Sequence, residues 1–166
     1  EAFGEILEDL RANGHRCLVF SQFVDHLAIL RASLNEAGVS YSYLDGSTPP
    51  EERKRQVEAF QAGEKECFLI SLRAGGTGLN LTAADYVVHM DPWWNPAVED
   101  QASDRAHRIG QERPVTVYRI VAKDTIEEKI VDLHTTKRDL AENLLEGTER
   151  VTSFSLNEMA ALIRQE

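Results

Sequence analysis

Cys67-Phe68-Leu69-Ile70-Ser71-Leu72-Arg73-Ala74-Gly75-Gly76-Thr77-Gly78-Leu79-Asn80-Leu81 is the stretch on which the fold turns. Its opening apolar run has no polar alternation, which is the pattern of a strand buried on both faces. The run empties into a loop with three glycines in four residues, Gly75, Gly76 and Gly78. Glycines in such a loop let the backbone approach a ligand and point N–H groups at an anion. A tight structural turn is the plainer alternative. Two nucleotide-loop readings fail on spacing. G-x-G-x-x-G counted from Gly76 needs glycine where Leu81 stands, and no G-x-x-x-x-G-K-[ST] occurs in the chain.

Working outward, the same grammar repeats. Cys17-Leu18-Val19-Phe20 and Tyr86-Val87-Val88-His89-Met90 read as further buried strands, with Ser40 to Leu44 and Val115 to Ala122 completing five. Between them lie amphipathic segments: Val24 to Ala37, stopped by Gly38; Glu51 to Gln61, begun at Pro49-Pro50; and a long last helix from Asp124 to about Leu145, with Asp124 and Glu127 as its cap. Strands alternating with helices predict an α/β fold, a parallel sheet with helices on both faces. In such sheets ligands collect at the carboxyl ends of strands. That edge receives Ser21-Gln22-Phe23, Asp45-Gly46-Ser47-Thr48, the glycine loop, and Asp91-Pro92-Trp93-Trp94-Asn95-Pro96. Adjacent tryptophans in an extended loop face different ways, so one is expected beneath the following helix and the other toward solvent or a partner.

The segment Asp100-Gln101-Ala102-Ser103-Asp104-Arg105-Ala106-His107-Arg108-Ile109-Gly110-Gln111 carries the most pointed chemistry. Asn95-Pro96 caps the helix expected to hold it. Gln101, Arg105 and Arg108 stand at i, i+4 and i+7, one face of a continuous helix. Two guanidiniums on one stripe suit a phosphate, because the arginine fork gives bidentate charge-assisted bonds and does not deprotonate. The ordinary alternative is a solvated face on which Asp104 and Arg108 pair.

Bulk properties narrow the classes. The 166 residues suit one domain, and 42% hydrophobic with 28% charged residues is a globular balance. The N-terminal pattern Phe3, Ile6, Leu7, Leu10 is amphipathic, so no signal peptide is expected, and the absence of an initiator methionine predicts a segment of a longer protein. Cys17 and Cys67 open apolar runs and read as small hydrophobes in a reducing compartment. No spacing of Cys or of the five histidines predicts a metal site. A net charge of −10 excludes a broad basic surface but leaves room for a local cationic groove. The stretch Asp124 to Arg150 holds eight acids against four bases, so charge is uneven along the chain. The tail 147–166 is expected to form one short helix or to fray.

From about Gly14 to Leu145 the chain resembles the second, C-terminal RecA-like lobe of Swi/Snf-type ATPases, a branch of the superfamily 2 helicases. Leu18 to Phe23 resembles motif IV, Ser71 to Asp85 motif V, and Asp100 to Gln111 motif VI. Val117-Tyr118-Arg119-Ile120 and Thr125 to Ile130 resemble the closing strand and the bracing helix. The resemblance implies a lobe spanning 1–146, with 147–166 as a tail, that works beside a first RecA-like lobe absent from this chain. That first lobe would hold ATP and Mg2+. It further implies Arg105 and Arg108 as cleft-facing arginines, Arg108 nearer the γ-phosphate, with Gln101 positioning them or reaching the nucleotide. Gly76, Gly78 and Asn80 would lie toward the nucleotide, and Arg73, Gly75, Thr77, Trp94, Ser21 and Gln22 toward double-stranded DNA. The implied parent is a DNA-stimulated ATPase that moves along duplex DNA and has no membrane partner. It would be cytoplasmic and nucleoid-associated in a prokaryote, nuclear in a eukaryote. Strand-separating helicases usually end motif VI in G-R-x-x-R, unlike the A-H-R-I-G-Q here, and a stand-alone regulatory or binding module is the other alternative.

Overall fold

A computed structural model describes residues 2–74, 79–93, 95–106 and 113–145, which fall into two compact units that divide between Ile130 and Val131. In the first unit the chain runs α1 (Ala2–Ala12), β1 (Cys17–Ser21), α2 (Val24–Glu36), β2 (Tyr41–Leu44), α3 (Pro50–Gln61), β3 (Cys67–Ser71), β4 (Tyr86–His89), α4 (Pro96–Ser103) and β5 (Thr116–Arg119). Helix α5 (Ile126–Leu145) begins in the first unit and continues into the second.

All four strand pairings are parallel, in the order β2-β3-β1-β4-β5. The α/β expectation is met, and its cause is visible in β1 and β3, every residue of which is buried. Alternate side chains feed two cores. Cys17, Val19, Cys67 and Leu69 pack with Phe3, Leu7 and Leu10 of α1 and with Leu27, Leu30 and Leu34 of α2. Leu18, Phe20, Phe68 and Ile70 pack on the opposite face with Phe60 of α3 and Ala102 of α4. The period-two alternation of strand side chains thus places α1 and α2 on one face and α3 and α4 on the other. Cys17 and Cys67 are register partners, free and buried, as their apolar contexts predict.

Strand and helix ends follow local chemistry. After α2, Gly38 takes φ +65°, the left-handed conformation that glycine adopts without a Cβ clash, and the chain turns into β2. The cap of α5 lies one residue later than the sequence predicts. Thr125 Oγ1 accepts from the Glu127 N–H at 3.2 Å, and Glu128 reaches back to the Asp124 N–H at 3.1 Å, with Asp124 itself at φ +59°.

The arginine segment departs from expectation. α4 ends at Ser103, so Gln101 is helical whereas Arg105 lies in the turn beyond it. The N–H groups of Arg105 and Ala106 bond to the carbonyls of Ala102 and Ser103, three residues back, and the Arg105 carbonyl accepts the Leu81 N–H at 2.9 Å. The bonding at this end of α4 has thus tightened from four residues back to three, and the Arg105 carbonyl is tied to a distant segment. Gln101 and Arg105 therefore do not share one continuous α-helix, and Arg108 lies outside the described residues. Among the described residues no helix is long and apolar enough to cross a membrane.

Candidate active-site edge and nucleic-acid interface

The topology fixes where a ligand can sit. From β1 the chain passes through α2 on one face, and from β4 it passes through α4 on the other. The crevice between two such departures is the switch point of an open α/β sheet. Here it lies outside the carboxyl ends of β1 and β4, and a buried carboxylate knits it. Asp91, 2% exposed, accepts from the Ser21 hydroxyl and, at 3.0 Å, from the Gln22 N–H. Gln22 Nε2 donates to the Pro92 carbonyl at 3.3 Å, and His26 Nδ1 stands 3.5 Å from Asp91. Ser21 and Gln22 are thus pinned to the loop that carries the tryptophans. One strand over, the Leu72 N–H donates to the Ser21 carbonyl at 2.9 Å, which brings the start of the glycine loop and exposed Arg73 to the same edge.

Gln101 is exposed on α4, whereas Arg105 is only 7% exposed, its guanidinium carbon 5.9 Å from the centre of the buried Phe20 ring. Asn80 is exposed and immediately precedes Leu81, whose N–H bonds the Arg105 carbonyl. The structure therefore joins Asn80 to Arg105 through backbone, and Ser21 to the Arg73 turn likewise. Gly75, Gly76, Thr77, Gly78, Trp94 and Arg108 lie outside the described residues, as does the tail 147–166.

Beside Asn80 runs an open groove of about 570 Å³, lined among others by Thr48, Arg53, Lys54 and Leu79. Two bases, one acid and two neutral polar groups line it, with Lys54 3.8 Å from the acid Glu58, so the groove carries one net positive charge on an acidic chain. The described residues contain no group of three or more His, Cys, Asp or Glu placed to hold a metal ion. The polar groups at this edge, a guanidinium and side-chain amides, fit phosphate oxygens.

A second buried carboxylate escaped the sequence reading. Glu99, 0% exposed, accepts from the Trp93 N–H at 3.0 Å and from Arg119 Nε at 2.8 Å. Burial pushes its carboxyl up, and the bonds from Arg119 and Trp93 more than reverse that, leaving it below its ordinary range. Nearby, His89 is 0% exposed, stacks on Phe20 at 5.6 Å and faces Ser103 Oγ through Nε2 at 3.1 Å. Burial drives the His89 imidazole down to about 4. The sequence offered only weak signals for these groups. Glu99 sits beside Asp100 in the first turns of a helix, where acids are commonplace.

The model of the helicase conserved C-terminal domain matches residues 1–110. The chain belongs to that family. The putative ATP-dependent helicase/translocase YwqA of Bacillus subtilis is 42% identical to this helicase C-terminal lobe over 159 residues, covering 95% of the lobe and 17% of the relative. An uncharacterized ATP-dependent helicase of Mycoplasma pneumoniae is 42% identical, covering 98% and 16%. The mouse SWI/SNF-related matrix-associated actin-dependent regulator of chromatin subfamily A member 1 is 47% identical over 133 residues, covering 79% and 13%. Among solved structures, the C-terminal part of the Fun30 ATPase domain superposes with a TM-score of 0.75 at 36% identity, covering 80% of the lobe and 44% of that chain. The lobe is therefore RecA-like and of the Swi/Snf type, and it spans about a sixth of the first two curated relatives.

Proposed function

We propose that this chain is the second motor lobe of an ATP-dependent double-stranded-DNA translocase or remodeller, whose arginines complete an ATP site held mainly by a first RecA-like lobe of the same polypeptide. The observation that carries this reading is the bond between the Leu81 N–H and the Arg105 carbonyl, which joins the end of the glycine segment to the arginine turn. One segment is of the kind that approaches a nucleic-acid backbone, and the other presents guanidiniums. On this reading Arg105 is the inner of the two arginines, held against Phe20. Arg108 is the one that reaches the γ-phosphate, with Gln101 orienting the pair. Gly76, Gly78 and Asn80 border the nucleotide. Arg73, Gly75, Thr77, Trp94, Ser21 and Gln22 face duplex DNA, and the Arg53–Lys54 groove extends that surface. The lobe takes in 1–146 with its bracing helix, and 147–166 follows as a tail. Mg2+ belongs to the first lobe with most of the nucleotide contacts. The protein works on DNA, in the nucleoid of a prokaryote or the nucleus of a eukaryote.

The test is hydrolysis by a two-lobe protein carrying this sequence. Arginine fingers contribute about 10³–10⁵ in rate, so Arg108→Ala is expected to lower turnover by roughly 10³-fold or more with the fold intact. Arg108→Lys is expected not to restore it, because an ammonium lacks the bidentate fork. Near-normal turnover in a folded Arg108→Ala protein would remove the assignment. Arg73→Ala and Trp94→Ala are expected to weaken stimulation by duplex DNA more than hydrolysis in its absence. An equal fall in both rates would move those residues into the cleft or the core.

A further inference from the structure

Two buried carboxylates flank the tryptophan loop, and the proposed function uses neither. Asp91 ties the start of the loop to the exit of β1. Glu99 ties its middle to β5, since one carboxylate oxygen takes the Trp93 N–H at 3.0 Å and the other takes Arg119 Nε at 2.8 Å. A carboxylate with no solvent exposure is costly to bury, and its position is fixed by the donors that satisfy it. The Arg119 side chain, 28% exposed, reaches it from the neighbouring sheet strand, so the anchor is rigid. Helix α4 starts only after the loop, with Asn95 Oδ1 accepting the Ala97 N–H at 3.1 Å, and Glu99 folds back from the first turns of α4 onto the residues before the cap. A plain core role does not require a carboxylate here. An apolar side chain of similar volume fills space without fixing a backbone N–H.

We infer that Glu99 is a positioning residue for the tryptophan loop. Shared between the Trp93 N–H and the Arg119 guanidinium, its carboxylate sets the place of Trp93 against β5, and with it the path of the loop offered to DNA. The presentation to DNA rests on the reading of the lobe given above, whereas the placement of the loop does not. Glu99 acts through backbone, and its contribution belongs to affinity for DNA rather than to the chemistry of hydrolysis.

The chain carries its own probe, because Trp93 and Trp94 are its only tryptophans. In Glu99→Gln the amide oxygen can still accept from Trp93, but the partner charge of Arg119 is gone. With far-UV circular dichroism unchanged, tryptophan emission is expected to move to the red and acrylamide quenching to rise, both further in Glu99→Ala. In the two-lobe protein, Glu99→Gln is expected to raise the duplex concentration for half-maximal ATPase stimulation by roughly tenfold, about 1.4 kcal/mol of binding free energy, at little cost to the rate at saturation. If emission and quenching are unchanged in both variants, the inference is overturned. It is equally overturned if emission shifts and Trp94→Ala raises the half-saturating concentration while Glu99→Gln does not. If Trp94→Ala leaves that concentration unchanged, it is the DNA reading that fails, and the fluorescence alone decides whether Glu99 places the loop. Should Glu99→Gln not fold, Arg119→Lys keeps a positive charge, withdraws the Nε donor, and is judged by the same readouts.

Discussion

A neutral imidazole inside a protein is a liability in acid, and His89 is such a group. Its folded value of about 4 lies below the ordinary 6.5 because burial disfavours the cation. Above pH 6.5 the ring is neutral whether the chain is folded or not, so its titration costs nothing. Between 6.5 and 4 the unfolded chain binds a proton that the folded one refuses, and stability falls. The loss amounts to about 2 kcal/mol by pH 5 and about 3 kcal/mol below pH 4. Glu99, held below its ordinary range, adds a loss of the same sign as acid protonates it. Urea titrations across this window are expected to show the slope, and His89→Gln, which does not titrate there, is expected to flatten it. An unchanged slope in that variant would place the acid sensitivity elsewhere. Arg105 gives a second test at this scale. On the proposed reading Arg105→Ala slows hydrolysis no more than Arg108→Ala does, and its packing on Phe20 predicts some loss of stability besides, which Arg108→Ala should not show.

Among the elements, α4 is the short one on which the most chemistry depends. It has eight residues, too few to persist without its ends being satisfied. Asn95→Ala removes the side-chain acceptor of the Ala97 N–H and is expected to cost about 1 kcal/mol, read as a lower urea midpoint with an unchanged slope. A midpoint equal to the parent's would mean that the Pro96 start suffices. The start of α4 was legible because Asn-Pro is a local signal. Its end was not, because Gln101 to Arg108 keeps helical spacing and contains neither glycine nor proline. Past Ser103 the N–H groups of Arg105 and Ala106 turn to carbonyls three residues back, and the Arg105 carbonyl takes the Leu81 N–H. No pattern within the helix encodes that turn or a bond to a segment more than twenty residues away. The same division runs through the fold. β1, β3 and β4 were legible because strands covered on both faces must be apolar throughout. The buried acids Asp91 and Glu99 were not, since an acid in a loop or a first helical turn has the same sequence context whether it is solvated or closed in.

For the molecule as a whole, the decisive property is what one lobe does without the other. Its two interleaved cores predict a sheet that folds without a partner and unfolds cooperatively in urea. The chain has no Walker A loop and its described residues no metal cluster, so hydrolysis by the 166-residue chain with saturating duplex and ATP–magnesium is expected to stay at background. Turnover that Arg108→Ala abolishes would contradict this. Duplex binding is expected to be weak and its salt dependence shallow, since a few local bases on a chain of net charge −10 displace few counterions. One bond bears on how any such experiment is interpreted. The link from Leu81 to Arg105 is peptide to peptide, so almost every substitution at either residue leaves it standing. Arg105→Ala therefore deletes a charge while keeping the tether. Only proline at position 81 would cut it, and that change would also empty a wholly buried leucine site. Ordinary sequence variation can retune either end of this joint, but it has almost no means of unfastening it.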